Sequence, residues 1–475
     1  MRERFLQGSS YSVGSMIYAT AALLLTGKLL TNALTPDQVG QFALLLLCAE
    51  GLAILANLGL PASLPKILQA LEANPRRDTL SSLFSFQARA AIAAAAAGFG
   101  AALLAPRWLP SVEAWLPLPP HLVLLLPLLL VTAALRDFLL AGAAGMHAYA
   151  HRAGAIMLIA TLQAVFFLVL FLQGAGDPLP FAVSYLFATA GGAALLARVL
   201  ARTGPVNWAE TRGQLRFSAP LFANNVLNFL YLRADTVLVV YFLGLRSAAI
   251  YEMARRVPGV VSRFFNAALI PWLPSLTEVL RGGDRARAGA LLQEVSVTVA
   301  FAGYASTLFV IVVQAPLLRV LFTEDYTAAA PALGPLLVAA CLAAQAGILG
   351  QALIALERPW WIPAINIALV AASLALNAVL LPRWGLAGAG WSALAAAAIS
   401  YALQRAAVAR AGVPLREGRG LLVHALFLAA WAVPLNRGAD PLPVLAAALV
   451  YVAACLYLRA VPTGMWRAAL PGSAP

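Results

Sequence analysis

The sequence predicts an all-α integral membrane protein with about fourteen transmembrane helices, and three observations support this fold class. Of the 475 residues, 62% are hydrophobic and only 11% are charged, which is too little polar surface for a water-soluble globule. Apolar runs of about 20 residues, long enough to cross roughly 30 Å of hydrocarbon as helices, recur from end to end. The connections between the runs are short, so we expect no soluble domain.

Fourteen apolar runs follow one another along the chain. The first comes after a charged start, as in a signal peptide, but no convincing cleavage site follows it and more spans come after, so we interpret it as an uncleaved helix. The runs occupy residues 9–32, 40–64, 82–105, 120–145, 150–173, 179–202, 214–242, 248–274, 290–314, 328–356, 360–381, 386–408, 418–436 and 441–460.

The glycines of GLAGAG, at positions 385, 388 and 390, invite comparison with a phosphate-binding loop. Such a loop needs a short strand before it and a helix after it. The stretch before this one, AINIALVAASLALNAVLLP, is an apolar run too long for a strand. The glycines therefore predict a turn between two apolar segments.

The net charge of +13 is unevenly placed along the chain. With the N-terminus inside, roughly 20 basic residues fall on the even-numbered connections and the two ends, against 5 on the odd-numbered ones. This bias predicts a multi-pass protein with both termini in the cytoplasm, and it argues against a nucleic-acid partner. Cys48, Cys341 and Cys455 all fall within spans, so neither a disulfide framework nor a metal site is expected.

A faint internal repeat links the two halves of the chain. The turn and aromatic residue after the first span recur after the seventh, and the break after the fourth span recurs after the tenth. We therefore predict an N-lobe of six helices at 1–205, a C-lobe of six helices at 206–412, and two additional helices with a short cytoplasmic tail at 413–475. Repeats of this kind are common in transporters, whose substrate site lies between the halves.

Charged residues inside membrane spans are costly and usually face a partner or an aqueous cavity. In the eighth span, Glu252, Arg256 and Arg263 follow a spacing of i, i+4 and i+11, which places them on one helical face. The cations that we expect to attract an anionic cargo are Lys28, Arg136, Arg255, Arg256 and Arg263. The acids that we assign to ion coupling or to structural ion pairs are Glu50, Asp235 and Glu252.

The seventh and eighth spans are expected to turn around Gly244, which brings Asp235 to the depth of Met253. We therefore predict that Asp235 pairs with Arg255 or Arg256 and that Arg263 serves the anion. For the acids, a structural ion pair explains the sequence as well as a functional role does. For Lys28 and Arg263, with no acid near them in sequence, a functional role is favoured.

The chain resembles the polysaccharide-type flippases of the multidrug/oligosaccharidyl-lipid/polysaccharide exporter superfamily. The similar stretches include SYSVGSMIYATAALLLTGKLLTNALTPDQVGQFAL, LRFSAPLFANNVLNFLYLRADTVLVVYFLGLRSAAIYEMARRVP and PRWGLAGAGWSALAAAAISYALQR. The resemblance implies two six-helix lobes around a central cavity, with Lys28, Arg255 and Arg263 at positions comparable to cavity cations. It also implies a lipid-tail groove at the last two helices. The second span departs from the pattern, since it carries Glu50 rather than a cation.

The leading hypothesis is a transporter, not an enzyme, that carries an undecaprenyl-diphosphate-linked oligosaccharide across a bacterial inner membrane by alternating access, for O-antigen or lipopolysaccharide synthesis. No cofactor is expected, and coupling to Na⁺ or H⁺ stays open. Membrane lipids and polysaccharide assembly proteins are further expected partners. The alternatives are a lipid II flippase, a drug or cation exporter of the same superfamily, and a membrane polymerase or ligase. An enzyme of that kind needs a long polar outer loop, which this sequence lacks.

Overall fold

The computed structural model of the protein is built from helices. It describes residues 2–69, 71, 73–108, 117–200, 205–269, 276–277, 279–280, 283–356, 358, 360–415, 418–437, 440–458 and 460. Within these ranges there is no β-strand, as the sequence predicted. The all-α membrane fold class is therefore confirmed.

The helices follow the predicted apolar runs, except that the run at 40–64 is divided between two helices, because Leu58 and Gly59 have positive φ angles and break it. They are α1 (Arg2–Ala33), α2 (Pro36–Asn57), α3 (Leu60–Gln69), α4 (Ala73–Trp108), α5 (Pro120–Val123), α6 (Leu126–Gly145), α7 (Tyr149–Leu172), α8 (Pro178–Leu200), α9 (Trp208–Leu269), α10 (Arg285–Val312), α11 (Gln314–Leu321), a 3-10 helix (Glu324–Ala329), α12 (Ala330–Ala355), α13 (Trp361–Arg410), α14 (Gly418–Arg437) and α15 (Pro441–Tyr457).

Ten helical segments in the described part of the chain are long and apolar enough to cross a membrane. Two of them are double length and break at a glycine, α9 at Gly244 (φ 82°) and α13 at Gly385 (φ 56°). Both angles lie in the left-handed region, where glycine meets no steric penalty. With two shorter apolar helices at the C-terminal end, these segments account for the fourteen predicted spans. The GLAGAG stretch is thus a turn between helices, and the phosphate-loop interpretation is excluded.

The backbone divides into two compact units, Met1–Glu252 with Leu321–Thr323 and Met253–Val320 with Glu324–Pro475. In the first unit, α6 packs against α2, α3, α4 and α8. The leucines Leu60, Leu64 and Leu68 of α3 repeat every fourth residue and are fully buried against Phe138 of α6. This stripe explains why the short α3 joins the core. The lobe boundaries at 205 and 412 stay a prediction from the internal repeat.

In the second unit, α12 is the central helix and packs against α10 and α13. It is buried over almost its whole length, which agrees with its apolar character on every side. The approach to α10 is close, because a Cβ added at Gly303 would lie 2.4 Å from Cys341 Sγ. The approach to α13 is close at Gly390, where an added Cβ would lie 2.8 Å from Ala332 O. Small residues in the GLAGAG stretch therefore do permit tight helix packing.

We expect Gly40→Ala to destabilise the first unit. A Cβ at Gly40 of α2 would lie 2.3 Å from Leu245 O, directly after the break in α9, so the backbone must shift. Overpacking of this kind costs about 1–3 kcal/mol. Thermal unfolding in detergent checks this, with Gly154→Ala in α7 as the control, because an added Cβ there meets no atom within 4 Å. Equal unfolding temperatures for the two variants would contradict the packing argument.

Candidate functional site

In the first unit, one arginine joins glutamates from two helices. Arg233 Nη2 lies 3.1 Å from Glu50 Oε2 of α2, and Arg233 Nη1 lies 3.4 Å from Glu252 Oε2 of α9. The Arg233 side chain is 33% exposed, that of Glu50 44% and that of Glu252 17%. A guanidinium suits this position because its donors point in fixed directions and reach two acceptors at once.

Hydroxyl groups extend this arrangement to a third acid. Thr236 Oγ1 donates to Glu252 Oε1 at 2.5 Å, and the Thr236 backbone N–H donates to Asp235 Oδ1 at 2.8 Å. Tyr251 Oη donates to Asp235 Oδ2 at 2.7 Å, and Asp235 is 7% exposed. Buried carboxylates need such donors. We call the set Glu50, Arg233, Asp235, Thr236, Tyr251 and Glu252 the carboxylate cluster.

The break at Gly244 is what brings the α9 members of the carboxylate cluster together. Arg233 to Thr236 precede the break, Tyr251 and Glu252 follow it, and their side chains meet across the reversal of the chain. Helix α2 supplies Glu50, and Gly40 of the same helix allows it to lie against the backbone at Leu245. Three carboxylates within membrane-spanning segments can bind a proton or a small cation, so the chemistry of this cluster suits ion coupling.

Arg136, predicted to attract the cargo anion, has an acidic neighbour instead of an open environment. Its Nη2 lies 2.8 Å from Asp137 Oδ1, its Nε lies 2.9 Å from the same oxygen, and its Nη1 lies 3.4 Å from Tyr185 Oη of α8. Two donors that converge on one carboxylate oxygen hold the guanidinium in one geometry. Cargo binding by Arg136 stays a prediction, and it now requires competition with Asp137.

The other predicted cargo cations lie on α1 and on the last part of α9. Lys28 is exposed and lies five residues before the end of α1. Within the described residues, no carboxylate forms an ion pair with it. Arg255, Arg256 and Arg263 are half-buried in the second unit. Pairing of Asp235 with Arg255 or Arg256 stays a prediction, since the contacts described for Asp235 are those with Tyr251 and Thr236.

Sequence reasoning missed the role of Arg233 at the centre of the carboxylate cluster. It also missed the hydroxyl donors Thr236 and Tyr251. A signal for Arg233 did exist, since it stands two residues from Asp235 in a span that turns back at Gly244. For the hydroxyl groups the sequence gives little signal, because Thr and Tyr are ordinary residues of membrane helices.

Comparisons with known proteins agree with this fold. A family model described as "Polysaccharide biosynthesis protein" matches residues 5–279. The comparison with curated proteins finds no match. Among solved structures, the chain is similar to the lipid II flippase MurJ in an inward closed conformation, with a TM-score of 0.69 and 11% identity over 96% of this chain and 99% of that one.

Two transporters of the multidrug/oligosaccharidyl-lipid/polysaccharide exporter (MOP) superfamily also share the fold. An inward-facing multidrug resistance MATE transporter has a TM-score of 0.61 and 12% identity over 84% of this chain and 95% of that one. A transporter from Pyrococcus furiosus, described as having a binding pocket of reverse polarity, has a TM-score of 0.54 and 11% identity over 86% of this chain and 96% of that one. The family match covers more than half of the chain, and the described helices form a multi-pass membrane protein with the fold of MurJ and the MOP-superfamily transporters. The chain therefore belongs to the polysaccharide biosynthesis protein family.

Proposed function

We propose that the protein moves an undecaprenyl-diphosphate-linked oligosaccharide from the inner to the outer leaflet of a bacterial inner membrane, for surface polysaccharide synthesis. The observation that carries the proposal is the family match over residues 5–279, which connects this membrane fold with polysaccharide biosynthesis. The cations within spans support it, because a diphosphate headgroup needs positive charge at membrane depth. Lys28 is the clearest example, since no described carboxylate neutralises it.

In this proposal the carboxylate cluster couples transport to an ion. A ligand drives a change between inward-facing and outward-facing states only through its different affinity for the two. Protonation or cation binding at Glu50, Asp235 or Glu252 weakens the hold of that carboxylate on its arginine or hydroxyl partner. Loss of the Glu50 contact loosens α2 from α9, and loss of an Asp235 or Glu252 contact loosens the two parts of α9 on either side of Gly244. These changes supply the affinity difference.

Deletion of the gene in its bacterial host tests the proposal. We expect loss of surface polysaccharide and accumulation of the lipid-linked oligosaccharide in the inner leaflet, both restored by the wild-type gene. Arrest of peptidoglycan synthesis with intact surface polysaccharide would instead indicate a lipid II flippase. Greater sensitivity to cationic drugs alone would indicate an exporter. Either result would overturn the proposed cargo.

We expect Lys28→Ala combined with Arg263→Ala to reduce export of the oligosaccharide at least about tenfold at equal protein level. The loss of one charge-assisted hydrogen bond to phosphate has roughly this effect. Flipping of a fluorescent lipid-linked oligosaccharide in proteoliposomes measures the change.

The control is Lys66→Ala, since the Lys66 Nζ lies 5.3 Å from the centroid of the Phe217 ring and has no part in the proposed mechanism. This variant should flip the labelled lipid at the wild-type rate. Full activity of the double variant would remove Lys28 and Arg263 from the mechanism.

A further inference from the structure

A cavity of about 170 Å³ lies within the second unit among α10, α12, α13 and α14. Its wall combines aliphatic side chains with six polar residues: Gln293, Ser296, Gln345, Tyr401, Arg405 and His424. This volume holds several water molecules or one small polar group. The carboxylate cluster belongs to the first unit, so the proposed coupling mechanism does not use this cavity.

Two of the polar residues present hydrogen-bond acceptors that lack a donor. His424 Nδ1 lies 2.7 Å from Gly420 O, so this nitrogen carries the proton and Nε2 of the neutral ring is an acceptor. Gln345 is fully buried, and its Nε2 donates to Cys341 O at 3.4 Å. His424 Nε2 and Gln345 Oε1 are both buried with no hydrogen-bond partner among the described residues. Such atoms suit a water molecule or a ligand that brings donors.

An open groove of about 680 Å³ adjoins the cavity at Arg405, which lines both. The groove runs along α13 over Ala402, Ala406 and Ala409, which share one helical face. This row of small apolar side chains forms an apolar strip along the helix surface. The groove therefore continues the polar cavity with an apolar surface.

A second guanidinium lies at the end of the groove. Gly412 lines the groove, and a Cβ added there would lie 2.6 Å from Arg285 Nη1. Arg405 and Arg285 thus place positive charge where the polar cavity meets the apolar groove. Basic pockets between membrane helices are typical sites for anionic lipid headgroups. The arginines also belong to the connections that the charge bias predicts to be cytoplasmic.

We propose that this site binds an anionic phospholipid whose headgroup carries hydroxyl groups, with phosphatidylglycerol as the representative. The phosphate lies at Arg405 and Arg285, and the headgroup hydroxyls enter the cavity and donate to His424 Nε2 and Gln345 Oε1. An acyl chain lies along Ala402, Ala406 and Ala409. The lipid is distinct from the proposed cargo, because its phosphodiester and glycerol match the two arginines and the two acceptors together.

Native mass spectrometry of the purified full chain tests this assignment with three dioleoyl lipids. We expect retention in the order phosphatidylglycerol, then phosphatidic acid, which is anionic but lacks the hydroxyls, then phosphatidylethanolamine, which is zwitterionic. Arg405→Gln should weaken phosphatidylglycerol retention about tenfold or more, the effect of losing a charge-assisted contact. Gln345→Leu with His424→Phe should abolish the preference over phosphatidic acid and leave phosphatidic acid binding intact.

Arg410→Gln is the matched control, since Arg410 is an exposed arginine on the same helix that lines neither the cavity nor the groove. It should retain phosphatidylglycerol as the wild type does. Ala406→Phe places a ring in the groove and changes none of the polar residues, and it should also lower retention if the acyl chain lies there. Equal retention of all three lipids, or unchanged binding by Arg405→Gln, would overturn the proposal. So would preferential retention of undecaprenyl phosphate, which would assign the groove to the cargo.

Discussion

Arg233→Gln is expected to reduce oligosaccharide flipping below about a tenth of the wild-type rate and to lower stability by about 1–3 kcal/mol. The arginine is within ion-pair distance of Glu50 and Glu252, which come from different helices, so its removal leaves two carboxylates facing each other without that cation. The expected destabilisation is below that of a fully buried pair, because Glu50 is 44% exposed. Proteoliposome flipping and thermal unfolding measure the two effects.

Two further variants show whether the loss of stability comes from unbalanced charge in the carboxylate cluster or from a general loss of folding. Arg233→Gln with Glu50→Gln removes one charge of each sign, and we expect it to regain a large part of the lost stability. Arg383→Gln removes an exposed arginine of α13 and should leave both readouts unchanged. If the double variant were as unstable as Arg233→Gln alone, the repulsion argument would be wrong.

The positions of the chain reversals could be predicted from the sequence because they depend on local chemistry. Gly244 and Gly385 each interrupt a long apolar run, and both adopt backbone angles that other residues rarely adopt. The same reasoning placed Asp235 before a reversal and Glu252 after it. Residue counting placed Asp235 level with Met253, and Asp235 contacts Tyr251, two residues before Met253.

The choice of partners among these charges could not be predicted in the same way. Arg233 stands eleven residues before Gly244 and Glu252 eight residues after it, yet they contact each other because a long arginine side chain spans roughly one helical turn. Arg136, by contrast, pairs with the next residue in the sequence. Adjacent residues on a helix usually point in different directions, so the spacing alone does not predict a pair with Asp137. The flexible stem of the arginine side chain bends back, so that the guanidinium reaches that carboxylate.

Asp235→Asn is expected to reduce flipping about 5- to 150-fold, the range of a typical coupling free energy, with little loss of stability. The amide keeps an oxygen that accepts the Thr236 N–H, and it removes a buried charge whose desolvation opposes folding. We therefore expect the unfolding temperature to change by no more than about 2–4 °C. A structural ion pair predicts the reverse, namely a large fall in unfolding temperature with normal flipping per folded molecule.

The dependence of flipping on ion gradients decides whether Asp235 couples transport to an ion or forms a structural ion pair. In proteoliposomes, wild-type flipping should respond to an imposed proton or sodium gradient, and residual flipping by Asp235→Asn should not. Tyr251→Phe removes one donor to the Asp235 carboxylate but leaves the charge, so it should cost about 1 kcal/mol of stability and keep the gradient response. A gradient response in Asp235→Asn equal to that of the wild type would assign coupling to another carboxylate, because neutral asparagine does not titrate.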